Sequence, residues 1–153
     1  NGTEVNRINE FPALSLEHDL YAILSGQTYT ANYRSFATIK TWLGDGTLLN
    51  KNNSTRGLAL QLRPLTDNEN ELNSLGYLLL NQGRKEEALK IFQVNFYLYP
   101  ESANVMSSLG EGYCKTGDMK NAVALLERSL EVNRDPKMVR EILAVLYEAK
   151  GVK

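Results

Sequence analysis

Along the second half of the chain, apolar positions return at helical rather than strand spacing. The run LNSLGYLLLNQGRKEEALKIFQVNFYLYP, from Leu72 to Pro100, is apolar-periodic up to Gly83. It then resumes with Ala88, Leu89, Ile91, Phe92 and Phe96 on one face. Two such stripes separated by a glycine predict two amphipathic helices joined by a tight turn, with Gly83 as a left-handed helix terminator and Pro100 as the stop of the second helix. The pattern comes back almost at once as MSSLGEGYCKTGDMKNAVALLERSLEVNR, Met106 to Arg134. Helices are therefore expected at about 68 to 82, 85 to 98, 102 to 116, 119 to 132 and 137 to 150. Their ends carry caps: Thr66 with Glu69 as a capping box, Glu86 and Glu87 in a first turn, Asp118 ahead of the fourth helix, and Asp135-Pro136 opening the fifth.

The recurrence has a period of 34 residues. Leu75-Gly76 returns as Leu109-Gly110, Gly83 as Gly117, Ala88 as Ala122, and Phe92 as Leu126; Leu143, Ala144, Tyr147 and Gly151 continue the phase into a third, partial copy. A glycine inside a helix costs roughly 1 kcal/mol relative to alanine. Gly76 and Gly110 therefore imply an offsetting gain, which we assign to close helix approach with Ala88 and Ala122 as small counterparts. Self-similarity at this period, with these residues in phase, resembles the tetratricopeptide repeat. The resemblance implies an all-α superhelix of antiparallel helix pairs: two full repeats plus a capping helix over 67–153, preceded by a degenerate helical pair or connector over 31–66.

Upstream the periodicity is weaker. Residues 1 to 13 read as a short strand or irregular arm, and Ser15 caps a short helix with Leu16, Leu20, Ile23 and Leu24 on one face, ended by Gly26. Residues 27 to 34 read as a connector. Phe36, Ile39 and Leu43 mark a further helix closed by Gly44-Asp45-Gly46, with Trp42 packed inside. In the stretch 47–65 the alternation of Leu58, Leu60 and Leu62 is strand-like, but the helical neighbourhood favours a helix ended by Pro64.

Composition narrows the function. With 153 residues and 42% of them hydrophobic, the chain can bury the core of one ordinary domain. A formal net charge of −1, from 17 basic and 18 acidic residues, leaves no basic field for nucleic acid or an anionic membrane. No apolar run approaches the roughly 20 residues of a membrane span. The single cysteine, Cys114, excludes an intrachain disulfide and a paired-cysteine zinc site, so no metal or other cofactor is implied. A start on Asn rather than Met reads as a processed product or fragment.

A second resemblance concerns RINEFPALSLEHDLYAILSGQTY. It is similar to the closing stretch of bacterial serine hydrolases of the penicillin-binding-protein and class C β-lactamase type, some of which carry tetratricopeptide repeats directly afterwards. Residues 1–30 would then hold the tail of an upstream hydrolase domain, and the chain would be the C-terminal accessory region of a bacterial envelope protein, with a cytoplasmic location as the alternative. Leu16, Leu20, Ile23 and Leu24, parted from their native sheet, would pack on the repeats or on a second copy of the chain. That family's catalytic residues do not carry over. No serine begins an S-x-x-K phrase, and Lys115-Thr116-Gly117, the one K-T-G match, falls where the repeat register demands a helix end. His18 has no second histidine with which to build a ligand set, Cys114 has no histidine at repeat spacing, and Glu86 with Glu87 are dipole partners of a helix start. Asn1-Gly2-Thr3 and Asn53-Ser54-Thr55 match the glycosylation acceptor pattern at a level chance explains.

The chain thus reads as a non-enzymatic binding module for a protein or peptide, including its own upstream domain. By resemblance to the repeat family, the concave surface is lined by the first helix of each repeat, at Asn70, Asn73, Tyr77 and Asn81 and then Asn104, Ser107, Glu111 and Lys115. Family members that grip acidic chaperone tails use lysine and asparagine there; Asn73 and Tyr77 depart from that pattern. Purified chain is expected to leave ester and β-lactam reporters unhydrolysed, and turnover lost on changing one residue of it would overturn that expectation.

Overall fold

Five side chains start five helices. Ser54 accepts a hydrogen bond from the Gly57 amide, Asn68 from Asn70, Ser102 from Val105, Asp118 from Asn121 and Asp135 from Lys137. Each satisfies an amide the helix itself leaves unpaired, an interaction worth about 1 kcal/mol. In the computed structural model, which describes residues 33–66, 68–133 and 135–151, the elements are α1 (Tyr33–Gly44), α2 (Thr55–Leu62) running into a 3-10 turn (Arg63–Leu65), α3 (Glu69–Asn81), α4 (Lys85–Leu98), α5 (Ala103–Thr116), α6 (Met119–Val132) and α7 (Pro136–Lys150). The arm of residues 1 to 13, the helix expected after Ser15 and the hydrolase-like phrase all lie outside the described residues.

The five repeat helices fall within a residue or so of their expected bounds. Two of the expected boundaries need correction. The capping box at Thr66 and Glu69 does not form: the Thr66 amide bonds back to Leu62 O at 3.1 Å and so closes the 3-10 turn. Thr66 Oγ1 is buried without a partner, and Asn68 takes the cap two residues later. The connector 27–34 is also too long, because α1 already begins at Tyr33. Of the stretch 47–65, Thr55 to Leu62 is helical, and Leu58 and Leu62 are buried while Leu60 faces solvent.

Gly83 and Gly117 end α3 and α5 with φ of 76° and 88°. In both, the amide of the residue after the glycine reaches five residues back, Arg84 to Leu79 O and Asp118 to Tyr113 O, each at 2.9 Å. This left-handed closure uses carbonyls that the helix end would otherwise leave free. Lys115-Thr116-Gly117 is therefore a helix terminus, as the repeat register requires.

Packing follows the order of the chain: α3 lies on α4, α5 on α6, α4 on α5, α6 on α7, and α2 on α4. Leu72, Leu75, Leu79, Ala88, Ile91 and Phe92 share one core with Ile39, Trp42, Leu48, Leu58, Ala59 and Leu62, so the degenerate upstream segment closes that end of the stack. Leu89 and Phe96, expected in this core, are only half-buried. Leu126, Ile142 and Leu146 form a second cluster under α7. The third partial copy keeps its phase, but Ala144 and Tyr147 are exposed, since among the described residues no helix follows α7.

Gly76, Gly110 and Gly112 face large side chains. A methyl group on Gly76 would collide with the Phe92 ring, and one on Gly112 would lie 2.9 Å from its other edge. Gly110 meets Leu126 at 2.8 Å, with the Ala122 carbonyl at 3.4 Å. Ala88 is not the counterpart of Gly76; the ring of Phe92 is. A recurring hydrogen bond also pins each pair of helices. Asn95 Nδ2 donates to Glu69 O at 2.9 Å, and Ser129 Oγ, one period on, donates to Ala103 O at 2.7 Å.

Gly76→Ala and Gly110→Leu are each expected to cost about 1 to 3 kcal/mol, because Phe92 and Leu126 are fully buried and have nowhere to retreat. Gly44→Ala, whose added methyl meets nothing within 4 Å, should shift stability by less than about 0.5 kcal/mol. Chemical denaturation of the three variants checks this; an unchanged midpoint for Gly76→Ala would contradict the packing described.

Candidate partner-binding surface

Helical spacing puts Asn104, Ser107, Ser108, Glu111 and Lys115 on one side of α5, and Asn70, Tyr77 and Asn81 on one side of α3. The two rows meet along a polar seam. The Tyr77 hydroxyl donates to Glu111 Oε2 at 3.0 Å and lies 3.3 Å from Ser108 Oγ, which in turn donates to Asn104 O at 3.0 Å. Asn104 Nδ2 donates to Glu69 Oε1 at 3.1 Å and Asn70 Oδ1 at 3.5 Å. Tyr77 with Glu111 and Asn70 with Asn104 are each separated by one repeat, so equivalent positions of successive repeats hold one another.

Of the expected surface residues, Asn70, Tyr77, Asn104 and Glu111 are thus brought together. Asn81 is exposed at the last residue of α3, and Ser107 is half-buried beside Ser108. Lys115 Nζ stands 3.7 Å from Glu148 Oε1 and ties α5 to α7, an exposed pair that contributes little stability. Asn73 is different. It is 5% exposed and accepts a 3.0 Å bond from Asn95 Nδ2, so it belongs to the α3–α4 interior and offers nothing to a partner. Position alone did not separate it from its neighbours on the helix. A signal existed in the polar Asn95 and Ser129, in phase on an otherwise apolar face, since a buried amide needs partners.

Tyr77 keeps 36% of its surface while its ring stands edge-on to Phe92, with centroids 5.3 Å apart. Burial pushes its phenol up to about 12, and the Glu111 carboxylate adds to the rise while Ser108 opposes it. The half-buried Cys114 thiol is also raised, first by burial and then by the carboxylates of Glu148 and Glu111. It is held as the neutral thiol, the less nucleophilic form. Around this surface stand Glu111, Glu141 and Glu148, with Lys115 3.7 Å from Glu148 and Lys137 4.0 Å from Glu141, which lies one period beyond Ser107. Among the described residues no group of three or more His, Cys, Asp or Glu side chains could hold a metal ion, and no helix is long and apolar enough to cross a membrane.

A folded-state phenol above its ordinary value of 10 means that the fold favours the protonated form. That contribution is complete below about pH 10 and is lost as the pH rises to about 12. Ultraviolet titration of the folded chain should show a tyrosine component that ionises late, toward about pH 12. Tyr77→Phe should remove that component and cost about 0.5 to 1.5 kcal/mol through the lost hydrogen bond. A late component that survives unchanged in Tyr77→Phe, or its absence from the wild type, would contradict the seam.

Comparison with family models matches residues 72–98 and residues 105–137, each to a tetratricopeptide repeat. Comparison with curated proteins finds no match. The matched segments cover α3 with α4 and α5 with α6, the two helix pairs built on the glycine and alanine positions that recur. Nothing in these matches concerns the hydrolase-like phrase, which they leave without support. Repeats of this kind mediate protein–protein binding and are generally non-catalytic. By sequence match and by architecture, then, the described chain is an all-α, tetratricopeptide-like stack of helix pairs.

Proposed function

We propose that the chain is a non-catalytic scaffold whose α3–α5–α7 surface docks an extended or helical segment of another protein, or of a domain joined to it. Asn70, Asn81, Asn104 and Ser107 supply donors and acceptors for the segment's backbone, and Tyr77 is the aromatic anchor. One observation supports this most: Tyr77, Glu111, Asn104 and Asn70 are already held across the joint between repeats. Side chains immobilised before binding lose little entropy when a partner arrives. Lys115 and Lys137 stand beside Glu148 and Glu141, but Glu111 is held only by the neutral Tyr77 hydroxyl, and this one surplus carboxylate favours a segment carrying lysine or arginine, the reverse of the acidic tails gripped by a carboxylate clamp. The burial of Asn73 also removes one of the clamp positions. The accessory-region reading, with a serine hydrolase upstream, rests on the phrase at residues 5–29 and on the repeats that follow it, and the scaffold reading stands without it.

Asn70→Arg with Asn81→Arg adds two exposed cations to this surface without touching the Tyr77–Glu111 bond. Used as bait in an extract of the source cell, the double variant should lose the wild-type partners at least about five-fold while melting within a few degrees of wild type. Binding of the wild type should also weaken between about 50 and 300 mM salt, as screening of exposed charges requires. Identical partner profiles for wild type and a folded double variant would overturn the proposal.

A further inference from the structure

The opposite side of α5 carries a second concavity, independent of the polar seam. Leu109 and Tyr113 lie roughly half a turn around the helix from Asn104, Ser107 and Glu111. They form the floor of a furrow of about 690 Å³ between α4 and α6. Gln93, Phe96 and Tyr97 make one wall, Asn121 and Leu125 the other, and Pro100 and Thr55 the ends. Phe96, Tyr113 and Leu125 are half-buried and Tyr97 is 44% exposed, so an aromatic and aliphatic surface faces outward. Gln93 Nε2 donates to the Tyr113 hydroxyl at 3.3 Å, which orients that ring across the floor.

The lining residues carry no charge, but one end of the furrow does. Lys90 shares a face of α4 with Gln93 and Tyr97, three and seven residues on, and its Nζ bonds Thr55 Oγ1 at 3.1 Å. Among the described residues no carboxylate pairs with it. At the Pro100 end, by contrast, Glu101 and Arg128 neutralise each other at 3.4 Å. A half-buried ammonium without a counter-ion, beside an open apolar trough, calls for a ligand that brings both an apolar group and a carboxylate. We infer that the furrow between α4 and α6 is a second docking site, which takes a protein segment presenting a bulky apolar side chain next to an acidic one. The apolar side chain seats among Phe96, Tyr97, Tyr113 and Leu125, and the carboxylate meets Lys90. The two faces of α5 then have opposite tastes, a cationic segment on the seam and an acidic, apolar segment in the furrow.

The test uses the full chain and three blocked pentapeptides, followed by backbone and side-chain NMR shifts. One peptide holds a phenylalanine between two aspartates, the second replaces both aspartates by asparagine, and the third replaces the phenylalanine by alanine. The first should shift Lys90, Phe96, Tyr97, Tyr113 and Leu125 saturably, bind roughly two- to five-fold tighter than the asparagine analogue at low salt, and clearly tighter than the alanine analogue. Lys90→Gln should abolish the preference for aspartate over asparagine, Tyr97→Ala should weaken both phenylalanine peptides, and Asn70→Arg with Asn81→Arg should leave all three affinities unchanged. Failure of the seam proposal would therefore not imitate failure here. Shifts that do not map to the furrow, equal binding of aspartate and asparagine peptides, or light scattering that shows a dimer dissociated by Tyr97→Ala would each overturn the inference, the last by assigning the furrow to a second copy of the chain.

Discussion

The ring of Phe92 has bare backbone on two sides. Gly76 of α3 lies against one edge and Gly112 of α5 against another, and a methyl at either position would collide with it. One side chain therefore sets two spacings: α4 to the helix before it within its repeat, and α4 to the helix after it in the next. Phe92 is fully buried, and removing a side chain of that size from water contributes about 1.5 to 3 kcal/mol. That gain is of the same size as the roughly 2 kcal/mol that two helical glycines cost together. The second repeat solves the same problem with different volumes. Leu126 replaces the ring, Gly110 keeps the close approach, and the position of Gly112 becomes Leu146, which joins Leu126 in the second cluster. Where the flanking helix offers backbone the filler is an aromatic ring; where it offers a leucine the filler is smaller. Interiors packed without voids require this trade.

From that spacing the polar surface follows. Tyr77 is next to Gly76, so the glycine that admits Phe92 also places the Tyr77 ring edge-on to it, with its hydroxyl reaching α5. The same approach buries Asn73 and Asn95 together. Asn95 Nδ2 serves both Asn73 and the Glu69 carbonyl, while its Oδ1 is buried without a partner, a cost tolerated at the joint that fixes where α4 crosses the start of α3. Ser129 does this work in the next repeat with a single bond and no orphaned atom. Stability and surface chemistry are therefore coupled: the residues that set helix spacing also decide which polar groups face outward.

The α5 helix is the element on which both candidate surfaces depend. It is covered by α4 and α6 on one flank and touched by α3 and α7 on the other, so its two remaining strips are exposed as a polar seam and an apolar furrow. The strips differ in charge: α7 brings Glu141 and Glu148, each beside a lysine, to the seam, whereas at the furrow Lys90 bonds the neutral Thr55 hydroxyl. A stack with two unlike faces can hold two unlike segments at once, which suits a scaffold and has no counterpart in a site built around one reacting atom.

Local rules were enough for the helices. Period, glycine closure and side-chain caps act within a few residues, and they located α3 to α7, the left-handed ends at Gly83 and Gly117, and the inward positions Leu75, Ala88, Phe92, Leu109, Ala122 and Leu126 from the amino-acid order alone. The in-phase copies also singled out Gly76 and Gly110 as close contacts. What they approached, and which polar residues turned inward, depended on neighbours distant in sequence. Asn73 and Asn70 look alike on a helix net, but only Asn73 meets Asn95; Thr66 fits a capping box, but the 3-10 turn before it had already claimed its amide. The furrow is composed of residues from four helices, and no single stretch carries its pattern. Sequence by itself determined the elements and the faces they bury, because those follow from the geometry of one helix; tertiary structure alone decided the partner of each inward glycine and the fate of each polar side chain, because those depend on how far apart two helices come to rest.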